Sequence, residues 1–222
     1  YAGLVDAASG AFDSARDPLF DRGTVGMSDK ETLSAYATRV DEYLTMVEDE
    51  PSTSLVAFAD ALPAGGRVLD FGCGPGHAAR YIASRGFETH AWDASPEMVQ
   101  AAAAPGVETR LAVFNDLTET EAYDGIYASF ALLHAPRADY PRHMAAIVAA
   151  LRPGGVLHLG MKTGTGEKRD SIGRFYSYFS RDELVAEIEA GGLTVVWEHA
   201  GAQKGLDGTM APYILIRALK RG

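Results

Sequence analysis

The sequence predicts an α/β fold: a seven-stranded, mostly parallel sheet with helices on both faces and an antiparallel hairpin at its C-terminal edge. Three observations predict it. From Arg67 to about residue 161, strand-like apolar runs alternate with helical stretches, the pattern of successive βαβ units. The first of these runs ends in the glycine-rich turn "GCGPG", where a helix then begins. The tail carries two apolar runs, "LTVVWEHAG" and "APYILIRAL", joined by "AQKGLDGTM" with no helical pattern between them, which reads as a hairpin.

The elements follow in order. Residues 1–30 are rich in Ala, Gly, Asp and Ser and read as a loosely held extension before a domain over 31–222. Leu33, Tyr36, Val40, Leu44 and Val47 recur at helical spacing and predict an amphipathic helix over 31–47. Pro51 suits the first turn of a second helix, which "PAGG" ends after Leu62. Strands are predicted at 67–71, 87–92, 107–113, 124–130 and 155–161, with helices at about 76–85, 95–104, 117–122 and 138–151. A helix over 181–190 ends at the Gly191-Gly192 pair.

Composition narrows the function. With 222 residues and 47% hydrophobic content, the chain suits one compact domain with an extension. It holds no apolar run of 18 residues and opens on no secretory pattern, so neither a membrane span nor secretion is expected. Its single cysteine, Cys73, cannot close an internal disulfide, which fits the reducing cytoplasm. The net charge of −10 is concentrated at the front, where residues 1–60 hold 12 acids and 4 bases. Without a basic stripe, neither a nucleic-acid backbone nor an anionic membrane is an expected partner. The oligomeric state is left open.

Parallel sheets leave a crevice beyond the carboxyl ends of their strands. Glycines there allow positive φ and close approach of a ligand, and the helix starting near Gly76 turns free N–H groups toward it. Seventeen residues after Gly76, Asp93 closes the neighbouring strand. A carboxylate at that point can accept both hydroxyls of a ribose, so the spacing predicts an adenosine-containing ligand. The run Gly72-Cys73-Gly74-Pro75-Gly76 brings the third glycine one position earlier than in the pyridine-nucleotide fingerprint, and Asp70 precedes it inside the strand.

"VLDFGCGPG", Asp93, "FND" (114–116), "YDGIYASFALLH" and "ALRPGGVLHLG" together resemble the class I S-adenosylmethionine-dependent methyltransferases, over about residues 31–219. The resemblance implies a Rossmann-like fold, S-adenosyl-L-methionine as cofactor and a small-molecule methyl acceptor. It implies a cofactor-binding set of Asp70, Gly72, Cys73, Gly74, Gly76, Asp93, Ala94, Met98, Asn115, Asp116 and Phe130, with Asp93 on the ribose, Asp116 on the adenine amino group and Met98 covering the ring. Each has a plainer reading beside this one. Asp70 can cap loop amides, Cys73 can be a buried spacer, Met98 can be core, and Asp116 can be a helix N-cap.

On the acceptor side, His134 follows the fourth strand and is the candidate base or acceptor ligand; its plainer reading is a histidine bonded to loop backbone. His90 and His158 lie within strands and read as packing residues. The remaining histidines, His77, His143 and His199, have no clustered partners, so no metal site is supported. The loop 161–180 mixes Lys162, Lys168, Arg169 and Arg174 with aromatic residues and would suit an anionic molecule. Lys168 and Arg169 are expected to pair with Glu167 and Asp170. Lys162, Arg174 and Tyr176 remain as substrate-binding candidates, with Tyr36 and Tyr43 closing the opposite side. The Asn/Asp/Ser-Pro-Pro-aromatic run of the base and glutamine methylators is absent after the fourth strand, where "SFALLH" stands, and residues 129–136 offer no carboxylate cluster for metal-assisted catechol chemistry. Two alternatives stay open: a non-catalytic adenosyl-ligand binding protein, and a nicotinamide-dependent oxidoreductase.

Overall fold

A computed structural model describes residues 29–40, 42 and 50–222. Residues 1–28 of the predicted extension and Tyr43 lie outside the described residues, as does most of the second half of the 31–47 helix; the last two residues of that extension, Asp29 and Lys30, instead cap and open the helix. The described part of that helix is α1 (Lys30–Ala37), capped by Asp29, whose carboxylate accepts from the Thr32 amide. Helix α2 (Thr53–Asp60) is capped by Ser52. Pro51 therefore precedes the cap instead of occupying the first turn, because the Ser52 hydroxyl takes the Leu55 amide and fixes the start one residue later.

The main sheet has seven strands: β1 (Arg67–Phe71), β2 (Glu88–Asp93), β3 (Val107–Leu111), β4 (Tyr123–Ser129), β5 (Leu151–Lys162), β8 (Leu193–Lys204) and β9 (Met210–Lys220). Their spatial order is β3-β2-β1-β4-β5-β9-β8. All pairings up to β5 are parallel, and β9 runs antiparallel between β5 and β8. Helices α3 (His77–Ser84), α4 (Pro96–Ala102), α5 (Tyr140–Ala150) and α6 (Arg181–Ala190) connect the strands. The pleat explains the apolar runs. Leu69 and Phe71 enter one core with Trp92, Ile126 and Leu157, whereas Val68 enters a second with Phe58, Ile82 and Tyr127, so β1 is buried on both faces. Strand order reverses between β1 and β4, which places the crevice at that point.

Three expectations need correction. Residues 117–122 form no helix. A single 3-10 turn covers Phe114–Asp116, and the amides of Glu121 and Ala122 donate to Ala149 and Ala150 at the end of α5 (2.8 Å each). Those bonds draw the segment into an extended path, with Glu121 at φ +47. Strands β5 and β8 are longer than predicted: β5 already starts at Leu151, paired with Tyr123 of β4, and the antiparallel pairing of β9 continues the ladder to Lys162 and Lys204. Within 161–180, β6 (Glu167–Arg169) and β7 (Phe175–Ser177) form a small hairpin of their own. No helix among the described residues is long and apolar enough to cross a membrane.

Candidate active site

A cavity of about 820 Å³ opens at the carboxyl ends of β1, β2 and β4, within the range of about 300–1,000 Å³ that holds small ligands. Its floor is built by the glycine turn. The Gly72 and Cys73 amides donate to the Trp92 carbonyl (2.8 and 2.9 Å), folding the turn across the end of β2. Gly72, Gly74 and Gly76 all have positive φ (+76, +51 and +81). A Cβ on Gly72 would lie 2.3 Å from the Ala131 Cβ, so the bare backbone is what lets this turn pass the loop after β4.

Two carboxylates face this floor. Asp93 accepts the Gly74 amide on Oδ2 and the Ser95 amide on Oδ1, 2.9 Å each. Burial raises its pKa against the pull of those amides. The carboxylate is thus held by backbone amides at the cavity, as an acceptor-only group that can also take a ligand hydroxyl. The other acid, Asp70, accepts the Ala79 amide of α3 at 3.0 Å, so it ties strand to helix while lining the cavity. Burial pushes its pKa up to about 7, with Asp93 adding to the effect against the Ala79 bond. Ala94, Met98, Phe114 and Phe130 complete this end of the wall. Phe130 stands at φ +56, a conformation that side chains rarely adopt. Burial raises the Cys73 thiol far from ionisation, which leaves no thiolate nucleophile. Gly76, Asn115 and Asp116 do not reach the wall; Asp116 accepts the Val113 amide at 3.0 Å on its own turn.

Tyr36 of α1 and His134 line the opposite end. The Tyr36 hydroxyl lies 2.9 Å from His134 Nε2, and His134 Nδ1 lies 2.7 Å from the Phe175 carbonyl oxygen. Burial, with Arg174 and Lys162 nearby, holds the imidazole at about 4 despite the Phe175 bond. Lys162, Arg174 and Tyr176 stand one layer behind the wall. Arg174 is buried and bound to Asp170, through Nε and Nη2 at 2.8 Å each, and its Nη1 donates to Tyr36 at 3.2 Å. Lys162 Nζ sits 3.9 Å from the centre of the Tyr176 ring, and burial, with Arg174 nearby, lowers its pKa. The expected pairing of Lys168 and Arg169 with Glu167 and Asp170 is not what forms. Arg169 grips both oxygens of Asp29 and Lys168 lies over the Tyr178 ring, because the hairpin turns Asp170 inward. The wall also takes Ser52, Arg80, Tyr127 and Gln203, which no sequence pattern marks as site residues. Among the described residues, no three His, Cys, Asp or Glu side chains gather to hold a metal ion.

A family model described as "Methyltransferase domain" matches residues 43–203. The chain belongs to this methyltransferase-domain family. A trans-aconitate 2-methyltransferase of Mycobacterium tuberculosis is 42% identical over 72 residues, 32% of this chain and 28% of that relative's length. In fold, the chain resembles a Burkholderia thailandensis 1,6-didemethyltoxoflavin-N1-methyltransferase with bound S-adenosylhomocysteine, at TM-score 0.68 and 20% identity over 90% of this chain and 93% of that one. It also resembles the [4+2]-cyclase SpnF, at TM-score 0.69 and 16% identity over 90% and 98% of the two chains.

Proposed function

We propose that this chain is a cytoplasmic enzyme that transfers the methyl group of S-adenosyl-L-methionine to a small molecule. The observation that carries this reading is the position of Asp93. It stands at the end of β2 beside three positive-φ glycines, with both oxygens on a cavity that runs on to Tyr36 and His134. In this reading Asp93 takes the ribose hydroxyls, Met98 and Phe130 flank the adenosyl group, and Asp70 and the Gly72–Gly74 backbone lie along the methionine part. The cofactor supplies an electrophilic methyl group; the chain aligns it with a nucleophile at the Tyr36–His134 end.

Two basic side chains, Lys162 and Arg174, stand behind that end, with the acids Asp170 and Asp207 beside them. A guanidinium bonded to the cavity-lining Tyr36 suits an acceptor with an anionic group, which agrees with the acid named for the M. tuberculosis relative. The cyclase neighbour supplies a specific second reading, because the same fold can hold a site that performs another reaction. A screen of small acids, phenols and amines, scored by S-adenosylhomocysteine release, separates the two. Release with at least one acceptor is expected. Saturable cofactor binding without release from any member of the panel would favour the second reading.

A further inference from the structure

The sequence marks His134 as the candidate base, and the folded chain covers it. Its Nδ1 lies 2.7 Å from the Phe175 carbonyl oxygen, which only accepts, so the ring proton sits on Nδ1. Burial keeps the ring neutral, and Nε2 takes the Tyr36 hydroxyl proton at 2.9 Å. A phenol has one proton and two lone pairs. Tyr36 gives the proton to His134 and receives Arg174 Nη1 (3.2 Å) and the Tyr176 hydroxyl on the lone pairs. Neither residue keeps a position that could take a ligand's proton. The other lining groups are committed as well. Asp29 is held by Arg169 and Thr32, Cys73 keeps its proton, and Asp70 and Asp93 accept backbone amides. Glu50 and His77 line the cavity beside Asp70: His77 opens α3 after the glycine turn, and Glu50 stands two residues from Ser52, which bonds Tyr127, the register partner of Asp70. Among the described residues at the Tyr36–His134 end, no group is left to accept a proton.

We propose that the methyl acceptor is a carboxylate, a nucleophile that needs no base, and that the product is its methyl ester. The proposal rests on the methyltransferase reading. Ionisation decides between the acceptor classes. At neutral pH a carboxylic acid of pKa near ~4 is ionised by about 10³ to one, a thiol is a few per cent thiolate, and phenols and alkylamines hold about 0.1% or less of their reactive form. A site without a base leaves the last three with that deficit and the carboxylate with none. Ring nitrogens and thioethers also react without losing a proton, but their products are cations. The groups around His134 oppose a cation there: Arg174 on the hairpin and Lys162 on β5 outweigh Asp170, and Tyr36 and Tyr176 are neutral phenols. In the step, a carboxylate lone pair forms the O–CH3 bond as the methyl–sulfur bond breaks, and the electron pair of that bond stays on sulfur. The negative charge of the acceptor and the positive charge of the sulfonium both vanish, and no proton moves. Tyr36 and His134 form a neutral wall against the acceptor, and Arg174, fixed by Asp170, is the positioning residue that holds Tyr36 in it.

Nitrogen-15 spectra of the full chain saturated with S-adenosylhomocysteine test the closed pair without turnover. His134 should stay a neutral ring protonated on Nδ1 between about pH 6 and pH 9, with an Nε2 resonance that moves in Tyr36→Phe. An imidazole that titrates in that range, or an Nε2 indifferent to the loss of the Tyr36 hydroxyl, places a usable base at the acceptor and overturns the proposal. The chemistry is tested with methyl-labelled S-adenosyl-L-methionine and a panel of tricarballylate, benzoate, decanoate, phenol, benzylamine and benzyl mercaptan. Mild alkali frees an ester methyl as volatile methanol and leaves ethers, amines and thioethers intact. Label is expected on at least one of the three acids, volatile after alkali, and at least about 10²-fold above that on phenol or benzylamine. Alkali-stable label, or label on the non-acids alone, overturns the proposal and leaves the methyltransferase reading standing. No label on any member overturns both, and saturable binding of S-adenosylhomocysteine in that case favours the second reading.

Discussion

Gly72 and His158 are both enclosed, for opposite reasons. Gly72 has no room for a side chain and the wrong φ for one. Gly72→Ala adds left-handed strain to a clash with Ala131, together about 2–4 kcal/mol, to be read from urea unfolding. A variant as stable as the parent would mean the turn has slack. His158 is buried against the Tyr127 ring (centroids 4.4 Å, planes 8° apart), opposite Arg217, and burial holds its pKa at about 3. Its unfolded value is near 6.5, so between those two pH values only the unfolded state binds the proton and stability falls on acidification. The wild type should lose stability relative to His158→Phe by up to about 1.4 kcal/mol per pH unit below pH 6.5. Parallel pH curves for the two proteins would contradict the buried neutral imidazole. At this scale the position of Asp93 was legible, because a glycine turn and a strand-end acid lie close in sequence. The partners of His134 were not. Tyr36 is 98 positions away and Phe175 is 41 away, so both contacts exist only in the folded chain.

Helix α1 and the β6–β7 hairpin meet along a line of polar contacts that no periodicity announces. Asp29 takes two bonds from Arg169 (2.7 Å each), and this pairing holds its carboxyl down at about 2. The Thr32 hydroxyl donates to Asp29 (2.7 Å) and accepts the Phe175 amide (2.8 Å). One turn later Tyr36 reaches Arg174 and His134. The outer pair is solvent-exposed and the inner bond is sheltered, so the inner one should matter more. Thr32→Val strands the Phe175 amide and should cost about 1–3 kcal/mol, with faster hydrogen exchange at that amide. Arg169→Ala should cost less and act only at low salt. The opposite ranking would place the strength of this contact in the surface pair. Element types were legible wherever a hydrophobic period was long, as in α5 and β1. The segment 117–122 misled because its acids and threonines carry no apolar stripe, and its amides were claimed by the end of α5. The hairpin was hidden because strands of three residues carry no readable alternation.

At the scale of the molecule, the strand reversal between β1 and β4 opens a crevice, and most of the residues marked in the sequence as a cofactor site, Asp70, Gly72, Gly74 and Asp93 among them, line it. The sheet and its antiparallel edge could be inferred from run lengths alone. The closing of the crevice by α1 and the β6–β7 hairpin could not, because it depends on long-range side-chain bonds. The central claim is that this crevice binds the adenosyl cofactor through Asp93. Calorimetric titration of S-adenosylhomocysteine into the full chain and into Asp93→Ala tests it most directly, with NADH as the control ligand. The account predicts one saturable site for S-adenosylhomocysteine and none for NADH. It also predicts a loss of about 1–3 kcal/mol in the folded variant, roughly 5- to 150-fold in affinity. Equal affinity in the two proteins, or NADH competing for the same site, would contradict it.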